Sequence, residues 1–198
     1  MPNATTASEW DEEFRAGRWA FLKGIEEAGR TGIIAAWLRH TGNSTSVLDV
    51  GCGEAVLFHQ LERSKLHTYV GVDLSPVALS AAKVDSGISR LVDLQSFEPA
   101  ENERFAGVVF NEVLHFAEDP GAQLRRYADY LAPGGVMAVS MYAPWKETGG
   151  GYAKVLAMEE ATQDPFWTVL DALELKSSAK DVRWRLRLLR PSESGSAE

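Results

Sequence analysis

The chain has 198 residues, 45% hydrophobic and 24% charged, which suits one globular domain able to bury roughly 70% of its unfolded surface. A net charge of −8 argues against holding nucleic acid by its phosphates, which takes a basic face. One cysteine, Cys52, excludes an intramolecular disulfide and argues against a cysteine-based zinc site; no apolar run nears the roughly 20 residues of a membrane span, and MPNATTASEW lacks a secretory pattern, so a reducing cytoplasmic setting is expected.

The polar ends, residues 1–7 and 191–198, read as frayed. Residues 8–40 read as helical: Ser8 can cap a short helix through Phe14, and Ile25, Ala28, Ile33, Ala36 and Trp37 follow at helical spacing. Thr41-Gly42-Asn43 closes that block. A strand at 47–50 runs into Gly51-Cys52-Gly53-Glu54-Ala55, and 55–63 read as a helix. A second strand, 69–74, leads to Ser75-Pro76, a serine cap with proline at the first helical position, and that helix is expected to reach Val84. A short strand at 88–92 ends at Asp93, and a fourth follows at 107–112. Asp119-Pro120 repeats the cap-and-proline start of a helix reaching Leu131. Pro133-Gly134-Gly135 reads as a turn feeding a fifth strand at 136–142. A helix near 152–163 precedes two alternating segments, 169–176 and 182–190, that suit an antiparallel edge pair stopped by Pro191. In the last of these Arg183, Arg185 and Arg187 alternate with Trp184, Leu186 and Leu188, the pattern of a wet strand face. The alternation of helix and strand over the whole chain points to βαβ units and a parallel sheet covered on both faces.

The chemistry gathers at strand ends. Asp49-Val50-Gly51-Cys52-Gly53 closes the first strand in small residues that let a ligand approach the backbone, with the free N–H groups of the next helix expected to face it. A dinucleotide fingerprint places glycine where this chain has Val56, and Asp49 would repel a pyrophosphate but attract an ammonium group. Asp73 ends the second strand, where an acid can accept hydrogen bonds from a ribose diol. Asp93 ends the third and would suit an exocyclic amine. Three acids at three strand ends make one crevice for a cofactor with a cationic end.

VLDVGCGEA, GVDLSPVAL, LVDL, FAGVVFNEVLHF and APGGVMAVS, in that order over residues 47–142, resemble the class I S-adenosylmethionine-dependent methyltransferases. The resemblance implies a three-layer Rossmann-like α/β sandwich. Its sheet would have seven mostly parallel strands in the order 3-2-1-4-5-7-6, strand seven antiparallel, with N-terminal helices. It implies one domain over 1–198, a helical lid at 8–40 and a core at 41–191. S-adenosylmethionine would lie with its methionine part on Asp49, Gly51, Cys52 and Gly53, its ribose on Asp73 beside Leu74, and its adenine on Asp93 beside Leu94. Asn111, Glu112 and Val113 would line the transfer site. Ala55 stands where the family often has a third glycine, and its methyl group is expected to be tolerated at a helix start. Trp10, Phe14, Arg18 and Trp19 become lid residues by the same resemblance; core packing is the plainer reading of this aromatic set.

Methyl transfer to an oxygen, nitrogen or carboxylate of a small molecule needs mainly alignment and exclusion of water. A base is needed only for an acceptor that arrives protonated. His115 and Glu112 stand nearest, though His115 equally suits packing and Glu112 a structural or cofactor contact. Tyr142, Trp145 and Lys146 follow the fifth strand as acceptor-pocket residues. His40, His59 and His67 show no metal spacing, and no metal is expected. The other readings are a non-catalytic cofactor-binding module, a methylase of protein or RNA, and a nicotinamide-dependent oxidoreductase.

Overall fold

The computed structural model describes residues 6–146, 148–178 and 180–192. Most of the two tails read as frayed, residues 1–5 and 193–198, lies outside the described residues. The first helix, α1 (Ala7–Arg15), begins earlier than Ser8 because Thr6 caps it. The Thr6 hydroxyl accepts the Glu9 N–H and the Glu9 carboxylate accepts the Thr6 N–H, a reciprocal pair that satisfies two end donors. A 3-10 turn, Ala20–Lys23, leads into α2 (Ile25–His40).

The strands are β1 (Ser46–Val50), β2 (Thr68–Asp73), β3 (Ser89–Asp93), β4 (Phe105–Asn111), β5 (Leu131–Tyr142), β6 (Trp167–Ser177) and β7 (Val182–Pro191). They form one seven-stranded sheet in the order β3-β2-β1-β4-β5-β7-β6. The first five run parallel, and β7 runs antiparallel to both β5 and β6. The order and the reversed strand are those expected from the resemblance. The central strands are buried on both faces, which explains their unbroken valine-rich runs. On one face Leu48, Val50, Val70 and Phe110 pack under α4 (Pro120–Ala128) and α5 (Gly150–Gln163) through Leu124, Tyr127, Val155 and Met158. On the other, Val47, Tyr69, Val109 and Ala138 pack under Ile34 and Leu38 of α2 and under Leu57, Phe58 and Leu61. None of the described helices is long and apolar enough to cross a membrane.

The connections depart most from expectation. No regular helix covers 55–63; a single 3-10 turn, Leu57–Gln60, stands there. Ala55 lies in the left-handed region at φ 57°, which breaks a right-handed helix at its first residue. The helix α3 (Pro76–Ala81) is capped by Ser75 as expected, but Ala82 turns extended and ends it short of Val84. Likewise α4 stops at Ala128, and β5 begins at Leu131. Pro133-Gly134-Gly135 is therefore an irregularity inside that strand: Phe105 pairs with Leu131 and Gly107 already with Val136. The crossover from β3 to β4 passes through residues 94–104 without a helix.

Candidate active site

A cavity of about 760 Å³ opens at the carboxyl ends of β1, β2 and β4, with α1 lying over it. Its floor is the turn after β1. Gly51 and Gly53 both take left-handed backbone, at φ 67° and 53°, and a side chain on Gly51 would run into Val113. The amides of Gly51 and Cys52 donate to the Val72 carbonyl at 2.7 and 3.0 Å. The turn is thus pinned to β2, and these N–H groups are not the free helix-end donors that the motif suggested. The Cys52 thiol is buried, which pushes its pKa well up.

Asp73 braces the turn from the side. Its carboxylate accepts the Gly53 N–H at 2.8 Å and the Ser75 N–H at 2.9 Å. Ser75 in turn caps α3 and donates its hydroxyl to Asp11 of α1 at 2.5 Å. Asp11 also accepts the Val77 N–H at 3.2 Å, and the Ser75 hydroxyl holds its carboxyl below the ordinary range. Asp49 is 2% exposed and accepts the Tyr69 hydroxyl at 2.7 Å. Burial pushes Asp49 up to about 7, against the Tyr69 hydrogen bond.

The residue that the sequence reading missed is Arg30. It is 2% exposed, lines the cavity from α2, and is paired at 2.9 Å with Glu27, which is equally buried. It also donates to the Asn111 side-chain amide oxygen and lies 5.6 Å over the Trp184 ring. Lys180 holds the other Glu27 oxygen at 3.0 Å. The Arg30 Nε is buried with no partner among the described residues. A signal was present: Glu27 and Arg30 fall on the same helical stripe as Ile34 and Trp37, where charges are out of place unless they are paired.

Glu112 follows β4 in left-handed backbone at φ 63°. Its amide donates to the Ser140 hydroxyl at 3.1 Å, and that hydroxyl is within hydrogen-bond reach of the Glu112 carboxylate at 3.2 Å and of Asn111 at 2.9 Å. Burial pushes Glu112 up to about 7, opposed by the nearby Arg30 charge.

The cavity brings together Asp49, Gly51, Cys52, Gly53, Asp73, Leu74, Leu94, Asn111, Glu112 and Val113, with Trp10, Phe14 and Trp19 above them. Six anticipated residues stand apart from its lining. Asp93 turns back on its own loop and accepts the Gln95 N–H at 2.7 Å. His115 sits on a 3-10 turn, Leu114–Phe116, that presents Leu114 and Phe116 to the cavity and packs the imidazole against Phe116 at 4.0 Å. Burial lowers its pKa to about 4, so the ring is neutral at pH 7. Arg18 reaches outward to Glu13 at 2.7 Å. Tyr142 packs on the α2 face of the sheet. Trp145 donates to the Asp181 carbonyl at 2.9 Å, between the cations of Lys176 and Arg183. Lys146 beside it is exposed. The short turn after β4 sets the position of His115, and the placement of 143–146 beside the β6–β7 hairpin sets those of Trp145 and Lys146; neither is visible in residue spacing.

The family model described as a methyltransferase domain matches residues 12–187. The chain belongs to that family. The methyltransferase domain is 36% identical over 107 residues to a ubiquinone biosynthesis O-methyltransferase of Bradyrhizobium diazoefficiens, a match covering 50% of this chain and 41% of the relative. The chain thus spans less than half the length of that curated relative. Among solved structures it resembles the 1,6-didemethyltoxoflavin-N1-methyltransferase of Burkholderia thailandensis with bound 1,6-didemethyltoxoflavin and S-adenosylhomocysteine. There the TM-score is 0.73 at 18% identity, covering 98% of this chain and 93% of that one. It also resembles the N-methyltransferase NodS of Bradyrhizobium japonicum WM9 in complex with S-adenosylhomocysteine, with a TM-score of 0.67 at 20% identity over 88% of this chain and 92% of that one. At these identities the structural likenesses establish the fold of the methyltransferase domain.

Proposed function

We propose that this chain binds S-adenosylmethionine and transfers its methyl group to a small molecule. The observation that carries the reading is the presence of Asp49 and Arg30, an acid and a cation whose Nε is left without a partner among the described residues, in the wall of one cavity whose floor is braced by Asp73. These residues fit the cofactor. Asp49 suits the ammonium of its amino-acid end, and Arg30 Nε suits the carboxylate. Asp73 keeps lone pairs beyond the two amides it holds, and they can accept from a ribose diol. Leu74 and Leu94 supply apolar walls for a flat base.

When bound, the cofactor supplies a methyl group on a sulfonium, a good leaving group. The chain's own part is then to hold, align and dry the reactants. Trp10, Phe14 and Trp19 roof the cavity and exclude water. Glu112 is the ionisable side chain at the end of β4 that can take a proton from an acceptor that brings one. The relative named as an O-methyltransferase and the neighbours named as N-methyltransferases support a small-molecule acceptor. Titration calorimetry with S-adenosylhomocysteine and, separately, NADH tests the cofactor. Saturable binding of the first and none of the second is expected; NADH binding alone overturns the reading. Labelled methyl transfer across a small-molecule library then tests turnover.

A further inference from the structure

The cavity wall that the cofactor reading leaves over is aromatic. Trp10 meets Trp19 at 5.6 Å between ring centroids and Phe116 edge-on at 5.1 Å, and Phe14 lies 6.3 Å from Trp19. All four line the same cavity and come from α1, from the turn after it and from the turn after β4. Such a wall prefers a flat ring, which can meet it face or edge, over a saturated one of the same size.

Hydrogen-bonding capacity narrows the choice further. The carboxylates in the lining are engaged: Asp49 by Tyr69, Asp73 by Gly53 and Ser75, Glu112 by Ser140, Glu54 by Lys23, and Asp119 by the Ala122 amide. Glu118 stays exposed at the rim. The two lining atoms that are buried without a partner among the described residues are both donors, Trp19 Nε1 and Arg30 Nε. A buried donor left unsatisfied is costly, so each marks a place for an incoming acceptor atom. The cofactor's carboxylate answers Arg30; nothing in the cofactor reading answers Trp19.

We propose that the methyl acceptor is a planar aromatic molecule bearing an oxygen substituent, packed against Trp10 and Phe116, with that oxygen receiving the hydrogen bond of Trp19 Nε1. An ammonium-bearing acceptor fits poorly, because it brings only donors to a donor. The inference rests on the methyltransferase reading above.

Equilibrium dialysis of the protein loaded with S-adenosylhomocysteine tests it, with 2-naphthol, naphthalene, 2-decalol and 2-naphthylmethylamine as probes. The naphthol is expected to bind tightest, and the saturated alcohol about 2–12-fold more weakly. In Trp19→Phe the advantage of naphthol over naphthalene should shrink about 3–10-fold, since the ring stays and the donor goes. In Trp10→Leu both aromatic probes should weaken together, with their ratio kept. An unchanged naphthol-to-naphthalene ratio in Trp19→Phe, equal binding of the decalol, or tightest binding of the amine overturns the proposal. Binding of S-adenosylhomocysteine in the same samples reports the loaded site. Its failure in the unmodified protein sinks the methyltransferase reading, whereas its success with an unchanged ratio sinks only the acceptor class.

Discussion

Asp73 accepts the Gly53 amide at 2.8 Å across twenty residues of sequence, so the acid at the end of β2 sets the shape of the turn after β1. Replacing it unpins the turn and, on the function proposed above, removes a ligand contact as well. Asp73→Ala is expected to weaken binding of S-adenosylhomocysteine by about 1–3 kcal/mol in calorimetry. Asp73→Asn, which keeps one acceptor oxygen, should fall between the two.

Asp49 makes the unliganded protein pH-sensitive. Its folded pKa of about 7 lies above the unfolded value, so the folded state binds the extra proton. The stability it contributes is complete below about pH 4 and is lost as pH rises through about 7. Glu112 acts in the same direction over the same interval. Urea melts across that interval should show the decline, and Asp49→Asn should flatten part of it. An ammonium beside Asp49 favours its ionised form, so cofactor binding is expected to release a proton and to tighten as pH rises through about 7. Calorimetry in two buffers of different ionisation enthalpy measures that proton.

Arg30 and Glu27 form a buried ion pair, and removing Arg30 leaves the buried Glu27 carboxylate with Lys180 alone. Arg30→Met should cost roughly 3–5 kcal/mol. For a chain of this length that lowers Tm by roughly 6–20 °C. The double variant Glu27→Gln/Arg30→Met should recover a good part of the loss, because it removes both charges. Thermal melts of the three proteins decide this, and an unaltered Tm in Arg30→Met would show that the pair carries no stability.

His115 works on the acid side. Its folded pKa of about 4 lies below the ordinary 6.5, so the unfolded chain binds the proton more readily. Its contribution is complete above about 6.5 and is lost as pH falls toward about 4. His115→Phe, which keeps a ring against Phe116, should reduce that acid loss and leave S-adenosylhomocysteine affinity near its original value. A large fall in affinity would place the imidazole in the site after all.

The strand order came with the resemblance, whereas the strand ends and the cavity acids at them were legible because their signals are local. Asp49 and Asp73 each stand at the end of an apolar run, beside glycines or a Ser-Pro cap, and those neighbours mark where a strand stops. Arg30 showed in the sequence only as a charge on an apolar helical stripe, because its place in the site depends on Asn111, 81 residues away. Ala55 was misread for another reason. Residue type says that its methyl group is small, whereas the cost lies in the left-handed backbone that the turn imposes. Trp145 and His115 sit in short connections whose direction depends on the packing of elements around them. Adjacency to a strand end was therefore a poor guide to which way they face.

The hold of Asp11 on Ser75 and Val77 carries one more consequence. The helix that bears it buries none of its nine residues fully, and a helix that short has little stability of its own. It stays down through that carboxylate, the Phe14 ring beside Gly53 and the Trp10 ring beside Phe116. On the function proposed above, a spent ligand beneath it would leave only when this small latch lets go. The pace of the cycle would then be set at the door as much as at the reacting atoms, and a chain that closed more firmly would work more slowly.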